Sequence, residues 1–170
     1  MTTPFPPQIR LLTPDDAPRY RDIRLEGLQL DPEAFASTFE QESAMPLSGF
    51  EERIVKGNVF GAFARSELLG VAGYWPQNGV KVSHQATLWG MFVRQTARQS
   101  GLGRRLVEAV VSHATGRVEL LQLGVASDNE AACRLYRKTG FSEYGREMKA
   151  LKQDGRYFDE ILMVRFLARD

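Results

Sequence analysis

The sequence predicts a mixed α/β fold, and three observations carry that expectation. Hydrophobic residues recur at helical spacing in some stretches and alternate or run continuously in others. A helical stretch, residues 101–115, separates two strand-like stretches, 85–94 and 118–126, which makes it a crossover that lets those strands pair in parallel. The 170 residues show no internal repeat and no linker, so the expectation is a single domain spanning 1–170.

Taken in order, residues 8–12 form a short strand. Thr13-Pro14-Asp15-Asp16 then supplies a capping threonine, a proline at the first helical position and an acidic residue at the third, which starts a helix running to Leu30. Tyr20, Ile23, Leu25, Leu28 and Leu30 give it an apolar face. Asp31-Pro32 breaks it before a second helical stretch, 33–40, and a third helical piece occupies 46–56. Strands at 59–64 and 68–75 are joined tightly through Arg65-Ser66-Glu67 as an antiparallel hairpin, and 85–94 is the next strand. Leu102, Leu106, Ala109, Val110 and His113 mark the crossover helix. The apolar run 118–126 suits a buried strand. Ser127-Asp128-Asn129-Glu130 reads as a capping box that opens a helix ending at Gly140, and strands 141–150 and 157–167 flank an Asp154-Gly155 hairpin turn. The order is βααβββαβαββ, with the third helical piece following the second.

Composition excludes several classes. With Cys133 as the only cysteine there is no disulfide framework, and with His84 and His113 alone beside it there are too few soft ligands for structural zinc, so no metal is expected. The balance of 22 basic against 21 acidic residues, net +1, gives no long-range field for nucleic acid or a membrane surface. No apolar stretch reaches the ~18 residues a bilayer requires. Residues 1–10 contain three prolines and no basic-then-apolar run, so they do not read as a secretory signal, and a lone thiol fits a cytoplasmic address.

The stretch from Met91 to Leu106 feeds a strand through a glycine-containing turn into a helix. Gly101 and Gly103 keep Cβ atoms away from the backbone, and the free N–H groups of a first helical turn favour an anion. Arg98, Arg104 and Arg105 add cationic donors. The same glycines also suit a tight turn with no ligand. A P-loop would require Lys-Ser/Thr where Arg104-Arg105 stands, and a dinucleotide fingerprint would require a third Gly or Ala where Leu106 stands.

These residues resemble the GNAT superfamily of N-acetyltransferases, whose pyrophosphate loop reads Arg/Gln-x-x-Gly-x-Gly/Ala. Arg98-Gln99-Ser100-Gly101-Leu102-Gly103 matches it, and the segment Asn129 to Phe141 resembles the family's Asn-x-x-Ala-x-x-Leu-Tyr-x-x-x-Gly-Phe signature. The resemblance implies a GNAT-like acyl-CoA N-acyltransferase fold with splayed central parallel strands and acetyl-CoA as cosubstrate. Backbone groups of Met91, Phe92 and Val93 would hold the pantetheine arm as an added strand. Arg98, Gln99, Ser100, Gly101, Leu102, Gly103 and Arg104 would cradle the pyrophosphate, Asn129 would bond the pantetheine or acetyl end, and Lys138 would approach the 3′-phosphate. Trp89-Gly90 sits where the family bulges this strand.

Acetyl transfer to an amine requires a base for the ammonium, a donor for the oxyanion and an acid for the thiolate. The resemblance makes Tyr136 the general acid, with a backbone N–H near Met91 as the oxyanion donor; read without it, Tyr136 is a core aromatic. The strand 86–93 carries no carboxylate, so Glu26, Glu33 and His84 are the candidate bases, Glu26 foremost. Phe35, Trp75, Trp89 and Tyr157 are candidates for an aromatic wall around the acceptor, with Glu26 and Asp159 suited to a cationic one. Cys133 falls at buried helical spacing and reads as core. The expected function is direct acetyl transfer to a primary amine of a small molecule or peptide; the alternatives are a silent acyl-CoA-binding module and a nucleic-acid-binding domain. An exposed final strand, 161–166, would offer an edge for a homodimer.

Overall fold

The computed structural model describes residues 6–168. Part of the N-terminal segment read above for a leader, residues 1–5, lies outside the described residues. In chain order the elements are β1 (Gln8–Leu11), α1 (Ala17–Leu30), α2 (Phe39–Ser43), α3 (Leu47–Lys56), β2 (Phe60–Ala64), β3 (Glu67–Pro76), β4 (Gln85–Val93), α4 (Leu102–Ala114), β5 (Leu120–Ala126), α5 (Glu130–Lys138), β6 (Ser142–Gln153) and β7 (Arg156–Phe166). The strands form one seven-stranded sheet in the order β1-β2-β3-β4-β5-β7-β6. The mixed α/β expectation is met.

Local chemistry sets the helix ends. Thr13 N–H donates to the Asp16 carboxylate at 2.9 Å, and Arg10 donates to both Asp16 oxygens at 2.7 and 2.9 Å. The first turn after Thr13, Pro14–Asp16, is 3-10, so α1 itself begins at Ala17. Its buried stripe is Tyr20, Ile23, Arg24, Gly27 and Leu28, while Leu30 is exposed. The helix expected at 33–40 does not form. Pro32–Ala34 makes one 3-10 turn, Phe35 is extended, and the true helix start is Thr38, which accepts from Gln41 N–H at 3.2 Å while Gln41 accepts from Thr38 N–H at 3.1 Å. At α5 the cap is Asn129, accepting from Ala132 N–H at 3.1 Å, rather than Ser127.

Two cores cover the two faces of the sheet. On one, Leu102, Leu106, Val107 and Val110 of α4 pack with Ala72, Leu88, Leu121 and Leu123. On the other, Tyr20 and Ile23 of α1 and Phe50 and Ile54 of α3 pack with Val59, Val71 and Phe92. The neighbours Val71 and Ala72 of β3 thus serve opposite cores, as the strand period requires.

The parallel pair β4–β5 is the feature that positions the site. The two strands pair only over Gln85–Leu120, Ala86–Leu121 and Thr87–Gln122, and the Gln122 side chain donates to that of Gln85 at 2.7 Å. Beyond Thr87 they part. Against β3, Val71 faces Phe92 and Gly73 faces Trp89, so β4 carries an extra residue there, and Gly90 takes φ 64° to accommodate it. This is the expected bulge. Past the gap, β5 pairs antiparallel with β7 along its whole length.

The last hairpin turns through Asp154 (φ 48°) and Gly155 (φ 78°), both left-handed as a primed turn demands. Its outer member is β6, not β7. The expectation that 161–166 offers an edge for a dimer is therefore corrected: those residues lie between β5 and β6. The edge strand β6 is interrupted by two register shifts, which blunt it as a pairing surface.

Candidate active site

Where β4 and β5 part, a cleft opens, and two adjoining cavities of about 450 and 710 Å³ occupy it. Both are lined by Ala34, Phe35, Met91, Asn129, Ala132 and Leu135, so the cleft is continuous from one to the other. The larger lies over the glycine turn and is lined by Met91, Phe92, Val93, Arg98, Gln99, Gly101, Leu102, Gly103 and Arg104. The smaller is lined by Leu88 to Met91 on one wall and by Leu123 to Ala126, Tyr136 and Glu160 on the other.

In the larger cavity, the turn reaches α4 through Gln99 (φ 62°) and Gly101 (φ 80°). Gly101 caps α4 with no side-chain acceptor, so the first-turn N–H groups and the positive end of the helix are left for an anion. The reason for each glycine differs from the sequence argument. A Cβ on Gly101 would meet open space, so its backbone angle is what selects glycine, whereas a Cβ on Gly103 would press Met91 Cε at 3.1 Å. Three arginines surround the turn, each already engaged. Arg98 donates from Nη2 to Asp31 at 2.6 Å and from Nε to the Val93 carbonyl at 2.9 Å, Arg104 pairs with Glu108 at 2.7 Å, and Arg105 donates to the Pro7 carbonyl at 2.8 Å.

The α5 N-terminus forms the other wall. Asn129 commits its side-chain oxygen to the cap, which leaves its NH₂ as the donor available to a ligand. About two turns further, Tyr136 is buried against Phe141 and lines the smaller cavity. Burial, with a smaller contribution from Cys133, pushes its phenol well above the usual tyrosine value, so it holds its proton throughout the neutral range. Cys133 is buried, its thiol pushed up by burial, and its Sγ faces the Ala126 carbonyl.

The smaller cavity has walls of opposite charge. On the helical side Arg24 donates from Nε to Glu42 at 3.1 Å and from Nη2 to Glu42 and Ser37, while Arg53 Nη1 lies 2.9 Å from Glu42. Burial acts to raise the Glu42 carboxyl, but the Arg24 hydrogen bonds and charge, with Ser37 and Arg53, outweigh it and hold it below the ordinary range. Phe35, Trp75 and Trp89 line this side, the two indoles 5.1 Å apart. On the opposite side stands Glu160 of β7. Burial, and secondarily Glu147 beside it, raises its carboxyl above the usual value.

Among the described residues, the lining of these cavities omits Glu26, Ser100, Lys138 and Tyr157. Glu26 is instead paired with Arg94 at 2.9 Å. Ser100 donates to the Ala97 carbonyl at 2.6 Å. Lys138 ends α5, at the opposite end of that helix from Asn129. Tyr157 is exposed beneath the ammonium groups of Lys149 and Lys152. Of the other candidate bases, His84 lies at the closed end of β4, its carbonyl accepting from Glu119 N–H at 2.7 Å. Asp159, expected beside a cationic acceptor, is held by Arg146 and by Lys149 N–H. Glu33 does line the larger cavity.

Sequence reasoning missed Glu160, Arg24, Glu42 and Arg53. Arg24 carried a usable signal: it falls four residues after Tyr20 and three before Gly27, a cation inside the apolar stripe of its helix. Among the described residues no cluster of His, Cys, Asp or Glu is placed to hold a metal, and no helix is long and apolar enough to cross a membrane.

Comparison with known proteins follows the same lines. The model of a family described as Acetyltransferase (GNAT) family matches residues 24–141. Among solved structures, a GNAT-family acetyltransferase from Streptococcus pneumoniae superposes with a TM-score of 0.84 at 22% identity, covering 95% of this chain and 99% of that one. A ribosomal-protein-alanine N-acetyltransferase from Brucella melitensis gives 0.80 at 25% identity over 94% and 99%. A phosphinothricin acetyltransferase from Sinorhizobium meliloti, solved with AcCoA, gives 0.83 at 18% identity over 96% and 90%. Comparison with curated proteins finds no match.

Proposed function

Given that the chain belongs to the acetyltransferase (GNAT) family, we propose that it moves an acetyl group from acetyl-CoA to a primary amine by direct transfer within a ternary complex. The observation that carries this reading is the parting of β4 from β5 at the Gly90 bulge, with an uncapped helix N-terminus at one end of the cleft and Tyr136 and Glu160 at the other. Bound there, acetyl-CoA supplies an acyl carbon activated as a thioester.

The edge of β4 at Met91, Phe92 and Val93 takes the extended arm through backbone groups that β5 no longer engages. The first turn of α4, with Gln99, Gly101, Leu102, Gly103 and Arg104, takes the pyrophosphate. Arg98 joins them by exchanging its Asp31 partner for phosphate, and Asn129 donates its NH₂ to the arm. Glu160 replaces Glu26 as the base that removes the proton from the acceptor ammonium; its raised carboxyl suits that task better than an ordinary one. As the amine nitrogen bonds to the acyl carbon, an N–H of β4 near Met91 receives the oxyanion. Tyr136 then donates its proton to sulfur as the C–S bond breaks. Phe35, Trp75 and Trp89 wall the acceptor.

Calorimetric titration with acetyl-CoA, followed by an amine panel read by thiol release, tests the reading. Binding with turnover of at least one amine is expected. Failure of a folded sample to bind acetyl-CoA overturns it, and binding without turnover leaves the silent acyl-CoA-binding module in its place.

A further inference from the structure

We infer that the acceptor carries a carboxylate beside its amine, and that Arg24 receives that carboxylate on its free Nη1 edge. The inference rests on the transferase reading above and names the acceptor class of the same cleft.

Arg24 is only 3% exposed, deep for a residue whose charge never leaves it. Two of its three nitrogens are accounted for, Nε and Nη2 facing Glu42 and Ser37. Among the described residues Nη1 is buried with no hydrogen-bond partner. It stands beside the bulge that borders the cleft: Arg24 lines the smaller cavity, and a Cβ placed on Gly90 would lie 3.5 Å from Nη1. The guanidinium is held in place between rings, its Cζ 4.8 Å from the Phe35 centroid and 5.7 Å from that of Trp89.

A guanidinium nitrogen donates and accepts nothing, so the group that satisfies Nη1 must be an acceptor. Charge selects an anion. Arg24 and Arg53 bring two positive charges against the single negative charge of Glu42, leaving one in excess on this wall. The opposite wall carries Glu160. An acceptor with an ammonium at one end and an anion at the other matches both walls, and a planar carboxylate suits a guanidinium edge flanked by ring faces.

The test uses the full chain with saturating acetyl-CoA and matched acceptors: L-α-amino acids, β-alanine and γ-aminobutyrate, each beside its own carboxamide. In the best pair, kcat/KM for the acid should exceed that for the carboxamide by about 100-fold or more, as expected when buried donors lose their partner. In Arg24→Gln the ratio should fall to about threefold or less. The double variant Arg24→Gln, Glu42→Gln, which strands no buried carboxylate, should show the same fall if the single variant folds poorly. Carboxamides that match the acids in every pair overturn the inference. So does an unchanged ratio in the variants, which would place carboxylate recognition away from Arg24. The same pairs titrated into the CoA complex keep the two readings apart. Binding of acids over carboxamides without turnover upholds the carboxylate site and refutes transfer, whereas equal binding, or none, refutes the site.

Discussion

The Glu160 carboxylate lies across the open face of Gly124, where a Cβ would collide with its Oε2. Glycine on β5 thus leaves room for an acid from β7 to reach the cleft. Gly124→Ala should push that carboxylate aside and lower kcat/KM by about 10- to 100-fold, the scale of a misplaced catalytic group. Circular dichroism and acetyl-CoA affinity should change little.

The base role proposed for Glu160 requires a deprotonated carboxylate, and burial raises its pKa above the usual 4.5. The rate should therefore fall as pH drops through that raised value, at a higher pH than an exposed carboxylate would show. Glu160→Gln should abolish this acid limb and lower kcat by about 100-fold or more. A pH profile of the variant that keeps the wild-type limb would remove Glu160 from the role.

Tyr136→Phe should lower kcat by about 100-fold while leaving the acetyl-CoA dissociation constant within about twofold, because the ring packing is kept and only the proton donor is lost. Turnover at the wild-type level would assign proton donation elsewhere.

Arg98 must leave Asp31 to reach a phosphate. Arg98→Glu should cost most of the acetyl-CoA affinity, while Asp31→Asn should raise it by up to about fivefold, since a half-exposed ion pair is worth at most ~1 kcal/mol. Calorimetry on both variants separates the two effects.

Asp16 is 3% exposed and bonded by Arg10 and Thr13, which hold its carboxyl down at about 2. A lowered folded value means that its stabilisation is present above the usual 3.8 and is lost as pH falls from there through 2. The shift corresponds to about 2 kcal/mol. Asp16→Asn should lose roughly that amount at pH 7, and the difference from wild type should shrink on titration toward pH 2.

Most strands and the two motif helices were legible because each rests on local chemistry: period, caps and the glycine turn. The segment 31–38 was not, since Thr38 and Gln41 form a capping box inside a stretch whose composition also suits a helix. Met91 to Gly103 could be assigned to the cleft because one continuous stretch builds that wall. The acceptor side could not, because Arg24, Glu42 and Glu160 meet only through tertiary packing. Asp159 shows how fine the distinction is: on a strand one residue decides the face, and its neighbour Glu160 is the one turned to the cleft.

Gln85 and Gln122 join β4 to β5 at the one end where those strands still touch, and the extra residue at the bulge keeps the other end apart. The aperture is thus written into the covalent count of residues rather than opened by a ligand, so little ordering entropy is left to be lost on binding. Deuterium should report it directly: along β4, amides directed at β3 should exchange slowly, and those directed across the gap beyond Thr87 should exchange fast until an extended arm shields them.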